Sequence, residues 1–341
     1  MGLDLKPLVT PAPLKLQELA TKVVAIDAYN TIYQFLSIIR GPTGEPLANN
    51  KGEITSHLSG LFYRNTNLLM ENVKPVYVFD GKANALKMAE IQRRSQLKKE
   101  ATEKYQLAIQ EGRMEDARKY STRTAFLTDK MVEESKKLLS YLGIPYIQAP
   151  SDGEAAAAYL TKCELAFAAA SQDYDSILFG AKKLVRNLAI SGKRKVPNRN
   201  VYLDVEPEIL EHDRMLKEIG LTQEQLVDVG ILIGTDFNPG GFAGIGPKTA
   251  LKLIRENGKL ENVQKIKHLL PEVPYLEIRN IFLRPEIPKV EKVDFSEVNR
   301  EKVLDFLCVD KSFSADRVSS TLDKLQKAAA NRSQSLEHWF G

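Results

Sequence analysis

The stretch VVAIDAYNTIYQFLSIIR (23–40) decides the fold. It begins as an apolar strand, VVAID (23–27), and continues as a helix, TIYQFLSIIR (31–40). A second apolar strand, KPVYVFD (74–80), follows a loop rich in Gly, Pro and Asn and a predicted helix at about 53–72. Two strands joined in this way through a helix predict a right-handed parallel crossover.

The same alternation continues to about residue 205. A helix at 124–142 is followed by four more predicted elements: the strand IPYIQAP (144–150), a helix that begins in SDGEAAAAYL (151–160), and the strands LAFAAA (165–170) and SILFG (176–180). This pattern predicts an α/β fold centred on a parallel sheet. The remainder of the chain is predicted to be mainly helical.

Composition excludes several classes of protein. Of the 341 residues, 43% are hydrophobic and 27% are charged, which is typical of a globular protein with a large core. No apolar run reaches the ~18 residues that a membrane helix needs, and the N-terminus has no secretory pattern. Two distant cysteines, Cys163 and Cys308, lack metal-ligand spacing and are typical of a reducing compartment.

Acidic residues recur where apolar segments meet turns. Because open α/β sheets bind ligands beyond the carboxyl ends of their strands, we expect these side chains to converge there. So many carboxylates in one place would repel one another strongly unless a divalent metal neutralised them. The set comprises seven residues: Asp27, Asp80, Asp152, Glu154, Asp173, Asp175 and Asp236.

Each of these residues has a simpler explanation when taken alone. Asp152 and Glu154 begin a helix, where acidic residues act as caps. Asp173 and Asp175 suit a turn or hairpin, and Asp236 suits the turn that ends a helix. Together they favour a two-metal site for Mg²⁺ or Mn²⁺, since carboxylate oxygens suit hard cations and the four histidines are too scattered to bind zinc.

A basic segment follows Asp80 directly. In GKANALKMAEIQRRSQLKK (81–99), Lys87, Arg94 and Lys98 fall on one stripe of a helix. A solvated helix face is one interpretation. The preferred one is a clamp on a polyanionic substrate, in which Lys87 and Arg94 stabilise charge on a scissile phosphate.

Two further segments suit phosphate groups. Residues 181–203 carry seven basic side chains and no acidic one, which indicates a solvated loop or a strip that grips a phosphate backbone. The segment GFAGIGPKTALKLI (241–254) has a Gly-Ile-Gly turn before a helix, an arrangement in which backbone amides bind phosphate without reading the base sequence. The candidate DNA contacts here are Arg194, Gly244, Gly246 and Lys248.

A family resemblance rests on six strings: VVAIDAYNTIYQFL, GEITSHLSGLFYR, KPVYVFDGK, APSDGEAAAAYL, DYDSILFG and GIGPKTA. Together they resemble the flap endonuclease family of the archaeal and eukaryotic type, within the structure-specific 5′ nucleases. The resemblance extends from near the N-terminus to about residue 255. It implies a parallel-sheet, PIN-like nuclease core, a helical arch over the active site, and a helix-hairpin-helix-type DNA-binding region.

The resemblance also implies roles for the site residues. All seven carboxylates would hold two divalent metals, with Asp152 standing where the family usually has Glu. Lys87 and Arg94 would be the catalytic basic pair at the base of the arch. A K⁺ ion would be held by the loop 237–246, which is one residue longer than the usual family pattern.

Three more residues map to DNA contacts of the family. Tyr33 corresponds to a tyrosine that stacks on an unpaired base, although a core aromatic is an equally good interpretation from the sequence alone. Thr55 resembles a contact to a one-nucleotide 3′ flap. Gly2, after loss of Met1, resembles the family's N-terminus near the site.

The chain divides into one nuclease domain, 1–325, and a tail. Within the domain, nuclease regions are expected at about 1–105 and 122–260, the arch at about 84–122, and a helical C-terminal part at 260–325. The tail, 326–341, is expected to be flexible and to bind a sliding clamp, proliferating cell nuclear antigen, through an aliphatic and two aromatic side chains with clamp-ligand spacing. These anchors are Leu336, Trp339 and Phe340, with Ser333 where such ligands carry Gln.

These observations favour a Mg²⁺-dependent 5′ flap endonuclease with 5′→3′ exonuclease activity, acting on DNA with 5′ flaps or nicks in replication and repair. A mainly exonucleolytic relative is an alternative. A non-catalytic adaptor that binds DNA junctions is another, and a phosphatase is disfavoured because no second Asp follows Asp27 two residues on. The protein is expected to be a monomer, cytoplasmic and nucleoid-associated in an archaeon or nuclear in a eukaryote.

Overall fold

The computed structural model describes residues 3–41, 44–190, 192–195 and 202–340; within these ranges, the side chains of 190, 192–195, 202–204 and 333–340 lie outside the description. The strands are β1 (Ala12–Pro13), β2 (Val23–Asp27), β3 (Lys74–Phe79), β4 (Tyr146–Gln148), β5 (Ala168–Ala170), β6 (Lys183–Arg186), β7 (Gly192–Lys195), β8 (Tyr202–Val205) and β9 (Glu208–Glu211).

The α-helices of the same residues cover most of the remaining chain. They are α1 (Ala28–Ile38), α2 (Ser56–Met70), α3 (Met88–Gln110), α4 (Met114–Ser121), α5 (Asp129–Tyr141), α6 (Gly153–Lys162), α7 (Asp175–Leu178), α8 (His212–Ile219), α9 (Gln223–Ile233), α10 (Pro247–Asn257), α11 (Tyr275–Leu283), α12 (Arg300–Leu304) and α13 (Ala315–Phe340).

A seven-stranded sheet forms the centre of the fold, with the order β1-β9-β6-β5-β2-β3-β4. The strands β4, β3, β2, β5 and β6 pair in parallel, whereas β9 and β1 add antiparallel at one edge. The strands β7 and β8 form a separate antiparallel pair. The predicted parallel α/β sheet is therefore confirmed, and its antiparallel edge is an addition that the sequence pattern did not predict.

Helices cover both faces of this sheet because its central strands are apolar on both sides. Along β3, Val76 and Val78 pack into one buried cluster, with α6, α9 and α10, whereas Tyr77 and Phe79 pack into the other, with α1, α2 and α5. The alternation follows from the two-residue period of a strand. The result is a three-layer α/β/α arrangement.

Two local predictions need correction. SILFG (176–180) is not a strand: most of it belongs to the short helix α7, and the next parallel strand is β6. A buried apolar run of this length fits either structure, and only tertiary pairing decides. The chain after residue 205 includes a strand, β9, before it becomes helical.

The predicted boundary at residue 325 is not marked in the backbone. Helix α13 continues through it to Phe340. Arg332 donates a hydrogen bond to the carbonyl of Met70 at 2.8 Å, so the first part of the predicted flexible tail is docked on α2. Among the described residues, no helix has the length and apolar character needed to cross a membrane.

Candidate active site

The carboxylates lie at the carboxyl-terminal edge of the parallel strands. Asp27 is the last residue of β2, and Asp80 follows the neighbouring strand β3. Asp173 and Asp175 follow β5, which pairs with the other side of β2. Two more acidic residues lie where α6 begins, after β4, and Asp236 comes from the loop after α9. The sheet therefore delivers the predicted residues to one place.

Burial and the neighbouring carboxylates raise the pKa values of several of these groups. Burial, with the carboxylates of Asp80 and Asp173, raises the pKa of Asp27 to about 8. Burial, with Asp236 and Asp173, raises the pKa of Asp175 to about 7. Burial raises the pKa of Glu154 well above its ordinary value, and Asp175 and Asp27 add to the effect. Without a counter-cation, the cluster therefore resists full ionisation.

Backbone amides orient two of the carboxylates. Asp27 caps α1 by accepting a hydrogen bond from the amide of Asn30 at 3.0 Å. Asp80 accepts one from the amide of Gly153 at 2.6 Å and so caps α6 from outside the helix. A Cβ at Gly153 would lie 2.7 Å from Asp80 Oδ1, so this approach requires glycine.

The capping explanation for Asp152 is wrong. Asp152 occupies the N-cap position of α6, but its side chain makes no capping hydrogen bond. Its carboxylate pairs instead with Lys87, which the short 3-10 turn Ala85–Lys87 places at the start of α3. The carboxylate therefore faces the site and not its own helix.

Polar contacts also hold Asp173, Glu154 and Asp175. The side-chain amide of Asn30 donates to Asp173 Oδ2 at 2.9 Å. Ser171 Oγ donates to Glu154 Oε1 at 3.1 Å. The backbone amide of Leu3 lies 3.4 Å from Asp175 Oδ1 and brings the N-terminal segment to the site.

Two residues of the predicted basic stripe, Lys87 and Arg94, contact the carboxylates of the site. Burial opposes the charge of Lys87, but Asp152 and Asp236 outweigh it and raise the pKa of its ammonium. Arg94 pairs with Asp236. The ammonium nitrogen of Lys98, one turn further along α3, lies 4.1 Å from the centroid of the Tyr33 ring. A merely solvated helix face would make none of these contacts.

Sequence reasoning missed Glu90. This residue on α3 is only 3% exposed and accepts hydrogen bonds from Arg93 Nε at 2.7 Å and Arg94 Nε at 2.6 Å. The hydrogen bonds from Arg93 and Arg94 outweigh burial and lower the pKa of Glu90 to about 2. Its spacing of three and four residues from two arginines was the available signal.

The donor set fits hard divalent cations, although the side chains do not form a ready-made cage. Every candidate donor is a carboxylate oxygen, the ligand that Mg²⁺ and Mn²⁺ prefer. Across the described ranges, no group of three or more His, Cys, Asp or Glu side chains has an arrangement that could hold a metal ion. The cations that contact the carboxylates here are Lys87, which pairs with Asp152, and Arg94, which pairs with Asp236.

The candidate DNA contacts differ in exposure. Gly244 and Gly246 precede α10, and no atom lies within 4 Å of a Cβ built at either position, so a ligand can approach the backbone closely. Lys248 is exposed on the first turn of α10. Thr55 is only 5% exposed at the start of α2, so its burial gives no support to the predicted 3′-flap contact.

Other predicted residues lie partly or wholly outside the described structure. Gly2 is outside the described residues, and the side chains of Arg194, Leu336, Trp339 and Phe340 are outside the description, although their backbones belong to β7 and α13. The basic strip is partly neutralised: Lys182, Lys183 and Arg186 pair with acidic side chains at 3.0, 3.5 and 2.7 Å.

The fold and site define a class, an α/β nuclease with a PIN-like core. The XPG N-terminal domain model matches residues 4–101, and the XPG I-region model matches residues 143–236. These two ranges carry all seven carboxylates: Asp27 and Asp80 lie in the first, and the other five lie in the second.

Proteins of similar sequence identify the family to which this nuclease belongs. The chain is 57% identical over 340 residues to flap endonuclease 1 of Nitrosopumilus maritimus, with all of both chains covered, and 50% identical to that of Saccharolobus solfataricus, with 96% of each covered. The chain therefore belongs to the flap endonuclease 1 family.

Solved structures of similar fold are consistent with this family assignment. Flap endonuclease-1 from Methanococcus jannaschii superposes with a TM-score of 0.76 at 37% identity, covering 97% of this chain and all of that one. The catalytic core of Rad2 in complex with DNA substrate shares the fold at 24% identity, with a TM-score of 0.69, covering 94% of this chain and 97% of that one.

Proposed function

We propose that the protein is a structure-specific 5′ flap endonuclease with 5′→3′ exonuclease activity, which hydrolyses DNA phosphodiesters at flap junctions during Okazaki fragment maturation and base excision repair. One observation carries the proposal. Seven carboxylates converge at one edge of the sheet, and two cations from a single segment, Lys87 and Arg94, contact them there. Structure, not base sequence, would select the substrate.

Two divalent cations are part of the proposal, Mg²⁺ with Mn²⁺ as a substitute. The holding residues would be the seven carboxylates, with Asp152 the one most engaged by Lys87. When bound, such a metal pair supplies a water of lowered pKa and stabilises the leaving oxygen of a phosphodiester. Their positive charge would also reverse the raised pKa values of Asp27 and Asp175.

The remaining roles belong to side chains of α1, of α3 and of the 3-10 turn that precedes α3. Lys87 and Arg94 would shift from Asp152 and Asp236 toward the scissile phosphate, whose developing charge they stabilise. Tyr33 would offer a ring face to an unpaired base once Lys98 leaves it. Helices α3 and α4 would act as the arch.

Residues outside the carboxylate site would bind the duplex part of the DNA. The exposed glycines Gly244 and Gly246 and the exposed Lys248 would bind its phosphates, with Arg194 on the β7–β8 pair as a second contact. A K⁺ ion in the loop 237–246 is part of the same proposal. A rise in duplex affinity with KCl, but not with equal ionic strength of NaCl, would support it.

A cleavage assay tests the enzymatic proposal. The substrate is a double-flap DNA labelled at its 5′ end, compared with blunt duplex and single strand, in Mg²⁺ or in EDTA. We expect one product cut just inside the junction, in Mg²⁺ alone. Tight binding without cutting would favour a junction-binding adaptor, and mononucleotide release from blunt duplex would favour an exonuclease.

Two variants remove carboxylates without touching the basic residues. Asp80→Ala and Asp175→Ala should abolish cleavage while double-flap binding in Ca²⁺ persists. Unchanged cleavage in both variants would contradict the two-metal site. Glu286→Ala, which removes an exposed carboxylate after α11, serves as the matched control.

A sliding clamp of the proliferating cell nuclear antigen type is the proposed protein partner. The anchors would be Leu336, Trp339 and Phe340, and α13 would present them at the end of the chain. Calorimetry with purified clamp should show binding that Trp339→Ala with Phe340→Ala removes and that Ser333→Gln strengthens. The protein is further proposed to be a monomer located where DNA is replicated.

A further inference from the structure

Asn30 contacts two carboxylates of the site at once. Its backbone amide donates to Asp27 Oδ1 at 3.0 Å, and its side-chain amide donates to Asp173 Oδ2 at 2.9 Å. Asp27 ends β2 and Asp173 follows β5, so one residue links the ends of two neighbouring strands. Neither the acidic pattern nor the basic stripe pointed to it.

Gln34 fixes the orientation of this link. A carboxylate only accepts hydrogen bonds, so Asn30 must turn its Nδ2 toward Asp173 and its Oδ1 away. Gln34, one turn further along α1, donates to that Oδ1 from Nε2 at 2.8 Å. Its own Oε1 is buried with no hydrogen-bond partner among the described residues, and it lies beside a cavity of about 10 Å³ that Asn30, Gln172 and Ser171 also line.

We propose that Asn30 is a positioning residue for the metal site and that Gln34 supports it. The inference rests on the proposed function. Asn30 would hold one oxygen each of Asp27 and Asp173 and leave their other oxygens directed at the metals. Such orientation of ligands by neighbouring hydrogen-bond donors is a general requirement of metal centres.

A purely structural role makes a different prediction. If Asn30 only completed the first turn of α1, its backbone amide would suffice and its side chain could be replaced by an apolar one of the same size. Asn30→Leu makes that replacement, because it keeps the amide that caps Asp27 and removes the donor to Asp173. The two roles therefore separate in one variant.

The test is calorimetric titration of the DNA-free protein with Ca²⁺, which binds without turnover. We expect Asn30→Leu to weaken Ca²⁺ affinity by about 10- to 100-fold, as removal of a ligand's hydrogen-bond partner does elsewhere. In single-turnover cleavage, the Mg²⁺ concentration for half-maximal rate should rise, and excess Mg²⁺ should recover part of the lost rate. Gln34→Leu should show a smaller change in the same direction.

The double variant tests the link between the two residues. Asn30→Leu with Gln34→Leu should bind Ca²⁺ no more weakly than Asn30→Leu alone, because Gln34 acts through Asn30. Additive losses would overturn the supporting role of Gln34. Asn67→Leu, the same change at an exposed position of helix α2, is the matched control and should leave Ca²⁺ affinity unchanged.

Two further outcomes of the Ca²⁺ titration distinguish a failure of this inference from a failure of the proposed nuclease function. A wild-type protein without saturable Ca²⁺ binding would overturn the metal site and this inference with it. Wild-type binding that Asn30→Leu leaves unchanged, even with a lowered melting temperature in EDTA, would overturn the inference alone and leave the nuclease proposal standing.

Discussion

The ammonium group of Lys98 covers the ring of Tyr33, with 4.1 Å between the nitrogen and the ring centroid. Helices α3 and α1 therefore meet through a cation–π contact, the kind of contact that contributes about 0.5–1 kcal/mol at exposed sites. A nucleic acid base that stacks on this face must displace the lysine. Because stacking on an aromatic contributes about 1–3 kcal/mol per base, the exchange favours DNA.

Replacing Tyr33 separates its ring from its hydroxyl. Tyr33→Phe keeps the face and should retain flap binding, whereas Tyr33→Ala should weaken it by about 5- to 150-fold, the equivalent of about 1–3 kcal/mol. Fluorescence anisotropy with a double-flap DNA in Ca²⁺ measures both. Equal binding by the two variants would assign Tyr33 to the core alone.

Arg94 and Arg93 offer a matched pair of substitutions. Both pair with Glu90, but Arg94 alone is ion-paired with Asp236. We expect Arg94→Ala to lower the single-turnover cleavage rate by about 10²- to 10³-fold, as loss of one group that stabilises the transition state does. Arg93→Ala should change it little. Similar losses in both variants would mean that the arginines act only through the stability of α3.

The raised carboxyl pKa values predict an unusual pH dependence of stability. Burial and neighbouring carboxylates raise the pKa of Asp27 to about 8 and that of Asp175 to about 7, from an ordinary value of 3.8. Between the unfolded and folded pKa values, the folded state binds more protons, so the free energy of unfolding decreases as pH rises. Melting temperatures in EDTA should therefore fall from about pH 5 to about pH 9.

Divalent cations and one substitution provide the controls for that prediction. Ca²⁺ should raise the melting temperature most at high pH, where the carboxylates are ionised. Asp27→Asn removes one titrating group and should flatten the curve in EDTA. A melting temperature that rises with pH in EDTA would contradict the raised pKa values.

Asp80 combines two roles that two substitutions can separate. Asp80→Asn keeps an oxygen that can accept the Gly153 amide, so α6 stays capped while the negative charge is lost. Asp80→Ala loses both, and we expect it to be less stable than Asp80→Asn by about 0.5–2 kcal/mol. Thermal unfolding in EDTA measures the difference, and neither variant should cleave. Equal stability would show that the amide finds another acceptor.

The strand ends could be predicted from sequence because the signals are local. VVAID and KPVYVFD are apolar runs that stop at an aspartate, and in a parallel sheet such stops fall on the same edge. The family resemblance added Tyr33, whose ring now lies against Lys98. The stripe of Lys87, Arg94 and Lys98 followed from helical spacing alone.

The features that could not be predicted from the sequence depend on tertiary contacts. SILFG carries no sign of whether it pairs with a neighbour or turns, and the pairing of β9 with β6 depends on contacts distant in sequence. Asn30 resembles any polar residue on a helix until Asp173 is placed beside it. Burial of Glu90 likewise depends on packing that its charge alone argues against.

The carboxylates of the site are contributed from position 27 to position 236. A growing chain on the ribosome therefore lacks at least one of them until residue 236 has been made. Whether or not β2 has already folded, Asp27 cannot meet Asp236 until the loop after α9 has been synthesised. Under the proposed function, a truncated translation product would not cut DNA, and nuclease activity would appear only as a late event in synthesis.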